Sequence, residues 1–140
     1  MPDIADIIRK GEGKTLEFKE TLPGGEILAR TAVAFSNMAG GKIIIGIEDR
    51  SRKLIGVSEN EALDFPDRIY GMIYDRCCPA IIPEIYLVSM EDSKVLVVEI
   101  YPGALKPYYL KSKGREKGIY VRVGAVNKPA DRETIGELER

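Results

Sequence analysis

Lys111, Lys113, Arg115 and Lys117 alternate through a glycine-containing stretch, and Tyr108, Tyr109 and Tyr120 flank it. Cations at this density neutralise phosphates and release condensed counterions, while tyrosine rings offer faces on which unpaired bases stack. The chemistry they suggest is capture of a polyanion. Arg122 lies one strand step beyond Tyr120, so both are expected on one face of the strand GIYVRVG, as the preferred contact surface. Lys19 would join that face if the first strand were its neighbour. The bland reading of the same residues is a solvated hairpin tip whose lysines keep an edge from aggregating; the clustering favours binding.

Charge segregation supports the choice. The formal net charge is -1, yet the segment from Lys106 to Lys128 holds seven basic residues against Glu116, a local +6 that leaves -7 for the remainder. A near-neutral chain with one basic segment is not a polybasic coat protein, but it can hold a phosphate backbone.

Other chemistries are poorly served. Histidine is absent, which removes the usual general base and the commonest zinc ligand. Cys77 and Cys78 are adjacent, which disfavours a disulfide, and they lack the spacing of a zinc site. Gly13-Lys14-Thr15 ends like a phosphate-binding loop, but Ile8 stands where that motif needs its first glycine, and the expected order is helix then strand rather than strand then helix.

The elements that must position these residues follow from pattern. At 140 residues, 44% hydrophobic and 31% charged, the chain has the size and composition of one globular domain. No run reaches membrane-span length and the N-terminus is too charged for a signal peptide, so a cytoplasmic protein with no membrane partner is expected. Asp3 is expected to cap a helix over 4–10, followed by the extended LEFK with Leu16 and Phe18 on one side and Glu17 and Lys19 on the other, where they fit a solvent face. A second helix carries Ile27, Leu28, Val33, Phe35 and Met38 and ends at Gly40-Gly41. Ile43 to Ile45 predict a strand covered on both faces, and LIGV is expected to pair back on it as a hairpin. A third helix is predicted from Glu59 to Arg76, then two strands joined at Glu91 to Ser93, the basic loop, the last strand, and a closing helix from Asp131. This order predicts an α+β domain with a mixed β-sheet and flanking helices.

Three stretches together, GEGKTLEFK (Gly11 to Lys19), the helix-Gly-Gly-strand run from Ile27 to Val57, and GIYVRVGAVNKPA (Gly118 to Ala130), resemble the Schlafen/AlbA-like domain family over nearly the whole chain. The resemblance implies a single domain over 1–140, in relatives often followed by a winged-helix region, with the unfinished C-terminal helix compatible with that. It implies a nucleic-acid-binding domain, DNA more than RNA, of a transcriptional regulator, working without a cofactor and by binding rather than turnover. The contact residues would be Lys19, Lys111, Lys113, Arg115, Lys117, Tyr120 and Arg122. Nuclease-active relatives carry a carboxylate triad that Glu12, Glu17 and Asp49 match, which would hold Mg²⁺ or Mn²⁺ in a divalent-metal ribonuclease. The family has also been labelled a divergent AAA domain, which makes nucleotide binding near Gly40-Gly41 a third alternative. A homodimer would cover exposed sheet edges.

Overall fold

Ile43, Ile44 and Ile45 present no polar face, and such a strand needs apolar cover on both sides. The computed structural model, which describes residues 3–140, provides it. The strand belongs to a four-stranded sheet whose spatial order is β1 (Leu16–Lys19), β2 (Gly41–Ile45), β5 (Ser93–Ile100), β4 (Glu84–Met90). β1 runs parallel to β2, while the β2–β5 and β4–β5 pairings are antiparallel, with Ile44 opposite Val97 and Val88 opposite Val95. Side chains alternate between faces, so Ile43, Ile45, Leu96, Val98 and Ile100 pack beneath α2 (Gly25–Asn37) and α3 (Glu59–Arg76). Ile44, Val95, Val97, Leu16 and Phe18 face the other way, where Ile8 of α1 (Ile4–Lys10) covers them. The domain is α+β with a mixed sheet and flanking helices, as its pattern predicts.

The helices form where caps and periodicity coincide. The Asp3 carboxylate accepts from Ala5 N at the start of α1. Ser58 and Glu61 make a reciprocal capping box at the start of α3, at 2.8 and 3.1 Å, and Phe65, Ile69 and Ile73 give that helix its buried stripe. Between α2 and β2 the chain reverses through Gly40, at φ +81°, where a Cβ would lie 2.7 Å from the Ile100 carbonyl. At Gly41 a Cβ would lie 2.7 Å from the Phe35 ring. The glycine pair is therefore a packing necessity of the helix-to-strand return.

A second layer joins the sheet through short strands. β3 (Cys77–Cys78) pairs with β6 (Tyr109–Leu110), and β7 (Tyr120–Val123) pairs with β8 (Val126–Pro129). Asn37, 1% exposed at the end of α2, ties both to the core: its amide donates to the Tyr108 and Tyr120 carbonyls at 2.9 and 2.8 Å, and its Oδ1 accepts from Tyr108 N at 2.6 Å. The chain ends in α5 (Arg132–Glu139), capped by Asp131 on Thr134 N.

Two expectations are corrected. LIGV does not form a strand: Ile47 and Leu54 make one isolated bridge, because Ile55 N and Gly56 N both donate to the Gly46 carbonyl and Val57 N donates to Lys94 O, drawing the segment across the sheet end. The side of β1 carrying Glu17 does not face solvent. Glu17 is 8% exposed, because the β7–β8 hairpin lies over it.

Candidate nucleic-acid interface

The basic loop is a closed structure. Leu110 N donates to the Gly118 carbonyl at 2.9 Å, Gly118 N donates to the Gly114 carbonyl at 2.8 Å, and Lys111 N donates back to Arg76 O at the end of α3. Within it, Gly114–Lys117 makes one short helical turn, α4, where the sequence predicts only a loop. Gly114 takes φ +73°, and a Cβ at Gly118 would lie 2.6 Å from two carbonyl oxygens, so both glycines are fixed by the closure. Lys111, Lys113, Arg115 and Lys117 are all exposed on this turn.

Their charges are unequal in availability. The Arg115 guanidinium meets Glu139 of α5 at 2.6 Å, both half-exposed, and Ser112 Oγ donates to Glu26 of α2 at 2.6 Å. Lys111, Lys113 and Lys117 make no ion pair among the described residues. Three free ammonium groups on one braced turn can neutralise phosphates with little reorganisation of the backbone beneath them. Lys128 of β8 is likewise exposed, whereas Lys106 is half-buried and donates to Met38 O.

The aromatic half of the expected interface is not on the surface. Tyr120 is 5% exposed, and the Arg30 guanidinium sits over its ring at 5.1 Å. No ring face is left for a base. Tyr108 is buried as well, its hydroxyl accepting from Leu105 N. Tyr109 keeps partial exposure beside Cys78.

Arg122 departs furthest from expectation. Only 2% exposed, it lies under the hairpin rather than on a contact face. Nε donates to Gly13 O and one terminal nitrogen to Leu16 O, each at 3.0 Å, while the other donates to Asn127 Oδ1 at 2.9 Å. It also pairs with Glu17 at 2.8 Å and lies 5.0 Å over the Phe35 ring. Asn127 in turn donates to Thr31 Oγ1 on α2. A buried guanidinium is tolerable only when its donors and charge are satisfied, and these are. Arg122 and Tyr120 are therefore not contact residues; they fasten β7 to β1 and α2. Lys19, half-buried, is held by Glu17 at 3.0 Å and is not a free cation either.

The carboxylates gather without forming a metal cage. Glu12 accepts from Phe18 N at 2.8 Å. Its carboxyl is pushed above the ordinary range by burial first, opposed by that backbone bond, and further by the charges of Glu17 and Asp49. Both Glu17 oxygens are engaged, one by Arg122 and the other by Lys19, and Asp49 is exposed. Among the described residues no three Asp, Glu, Cys or His side chains are placed to hold a metal ion. As these side chains stand they do not fit Mg²⁺ or Mn²⁺, and no hydrolytic step follows from them.

The Cys77 thiol is pushed up to about 12 by burial, which leaves it a protonated core group. No helix among the described residues is long and apolar enough to cross a membrane.

Residues 12–131 match the family model described as Schlafen, AlbA_2. An uncharacterized ATP-binding protein of Ureaplasma parvum serovar 3 is 42% identical over 55 residues, covering 38% of this chain and 16% of that protein. The chain thus spans less than a fifth of that relative. Among solved structures, the DIP2311 protein from Corynebacterium diphtheriae superposes with a TM-score of 0.64 at 23% identity, covering 91% of this chain and 24% of the other. The N-terminal domain of an ATP-dependent DNA helicase RecG-related protein from Nitrosomonas europaea superposes with a TM-score of 0.60 at 21% identity, covering 94% and 95%. At those identities the likeness is one of fold.

Proposed function

The chain belongs to the Schlafen, AlbA_2 family, and from that premise we propose that it is a nucleic-acid-binding domain whose contact surface is the braced turn from Lys111 to Lys117. DNA is the preferred ligand, within a transcriptional regulator whose sequence specificity comes from another domain or from the geometry of a dimer. One observation carries the reading: Lys111, Lys113 and Lys117 stand exposed and unpaired among the described residues, on a turn closed at both ends by backbone hydrogen bonds. The mechanism is phosphate neutralisation. With Tyr120 and Arg122 inside the fold, base stacking contributes little, so discrimination among sequences by this domain is weak.

The test is a salt titration of duplex DNA binding followed by fluorescence anisotropy. Each phosphate neutralised contributes about -0.9 to the log-log slope, so replacing Lys111, Lys113 and Lys117 with alanine should flatten it by about 2 to 3 units. An unchanged slope and affinity would dismiss the turn as a binding surface.

A further inference from the structure

Two features that the sequence keeps apart meet at one end of the sheet. The turn from Gly11 to Thr15 lies beside the start of β2, and Lys42 N donates to the Thr15 carbonyl at 2.9 Å. A cavity of about 220 Å³ opens there, lined by Lys10, Gly11, Gly13, Lys14, Thr15 and Lys42 among others. A second cavity of about 190 Å³ shares Thr15 and Lys42 with it and extends past Gly41 to Tyr101 and Pro102. Each is smaller than the roughly 300–1,000 Å³ of a typical ligand pocket, and the two adjoin at Thr15 and Lys42 as a paired cleft.

The cleft is cationic. Lys10 and Lys14 are exposed and make no ion pair among the described residues. Lys42 reaches Glu99 at 3.6 Å, a long contact, and Glu99 is shared with the Tyr86 hydroxyl at 2.9 Å. Of the charged residues that line the two cavities, three are lysines and one, Glu99, is a carboxylate. Lys14 N and Thr15 N donate to no protein group among the described residues, so the turn adds backbone donors and a hydroxyl to the lysines. Lysines, free amides and a hydroxyl together suit a tetrahedral oxyanion. At the far wall the Tyr101 ring is 52% exposed, with its hydroxyl held by Glu84.

We propose that this cleft is a phosphate-binding site, with Lys10, Lys14 and Lys42 holding phosphate oxygens and the Tyr101 ring placed to lie against an attached base. The geometry is unlike a phosphate-binding loop, because the turn leads from a helix into a strand. The group could be carried by a free nucleotide or by a nucleic-acid strand, and the chemistry of capture is the same for both. The two cavities share no lining residue with the Lys111 to Lys117 turn.

The test follows the backbone amides of Gly13, Lys14 and Thr15 by NMR while tripolyphosphate, ATP or a short thymidine oligonucleotide is added. All three amides should shift with at least one of these probes. A response to ATP and tripolyphosphate identifies a free phosphate compound as the source, and a response confined to the oligonucleotide identifies a strand. The Lys10→Gln, Lys14→Gln double variant, altered only at exposed positions, should retain its melting temperature and bind the responding probe about tenfold more weakly. Alanine at Lys111, Lys113 and Lys117 should leave the amide shifts intact, which separates this site from the loop. Absence of any shift with all three probes, or wild-type affinity in the double variant, overturns the proposal.

Discussion

The Arg122 guanidinium meets the Glu17 carboxylate at 2.8 Å beneath the β7–β8 hairpin, with 2% of the arginine and 8% of the glutamate exposed. The same guanidinium bonds Gly13 O and Leu16 O, so this pair is the seam between the first strand and the last hairpin. Removing one member of a buried pair leaves the other's charge uncompensated. Arg122→Ala should therefore lower unfolding free energy by about 3–5 kcal/mol in urea denaturation. Arg122→Lys should recover little, since a single ammonium cannot reproduce donors aimed at Gly13, Leu16 and Asn127 at once.

Asn37 offers an isosteric test of the second junction. Its Nδ2 donates to two carbonyl oxygens, of Tyr108 and Tyr120, in a site 1% exposed. Asn37→Asp keeps the shape but points an acceptor at both. With two repulsive contacts and a buried carboxylate, a loss of about 3 kcal/mol or more at neutral pH is expected, easing as the pH falls and the aspartate protonates. Equal stability across pH would show that the β6 and β7 segments are held by packing alone.

Glu12 should give the stability a pH dependence of opposite sign to the usual carboxylate. Its folded-state pKa lies above 4.5, chiefly through burial, so the folded protein binds this proton more tightly than the unfolded chain. The stabilisation is present below about pH 4.5 and is lost as the pH rises through the elevated folded value. Glu12→Gln retains an acceptor for Phe18 N and has no charge to lose. The variant should equal or exceed the wild type at neutral pH and lose this part of the pH profile, as read by melting temperature between about pH 4 and 7. A variant clearly less stable at neutral pH would mean that the carboxylate charge itself is needed.

How much of this was legible in the sequence depends on whether a residue's role is local. The cap at Asp3, the third helix from Glu59 to Arg76 and the doubly covered Ile43 to Ile45 strand are dictated by neighbours along the chain, and each appears where pattern places it. Strand β8 was not legible, because Val126 to Pro129 carries no alternating apolar signal and is defined by its register with β7. Arg122 misled for a related reason. A cation on a strand next to a basic loop resembles a surface ligand, and only the long-range approach of Gly13, Leu16 and Glu17 turns it inward. Asn37 gave no signal, since its partners lie more than seventy positions away. The carboxylates Glu12 and Glu17 do lie together, but spacing could not tell that Lys19 and Arg122 would occupy the second of them.

The ion pair between Arg115 and Glu139 sets up the sharpest test of the basic turn, because it subtracts a cation that the sequence counts as available. Both partners are about half-exposed, so the pair adds no more than about 1 kcal/mol to folding and can be opened without risk to the domain. In Glu139→Gln the guanidinium loses its counter-charge beside Lys111, Lys113 and Lys117. If the turn binds duplex phosphates, the salt slope should steepen by up to about 0.9 and affinity at low salt should rise several-fold, while the melting temperature changes little. Glu133→Gln on the first turn of α5 removes the same charge from the same helix without an Arg115 contact, and serves as the control for net charge. Equal effects from both variants would reduce the result to overall electrostatics. An effect confined to Glu139→Gln places the nucleic acid on Arg115 itself.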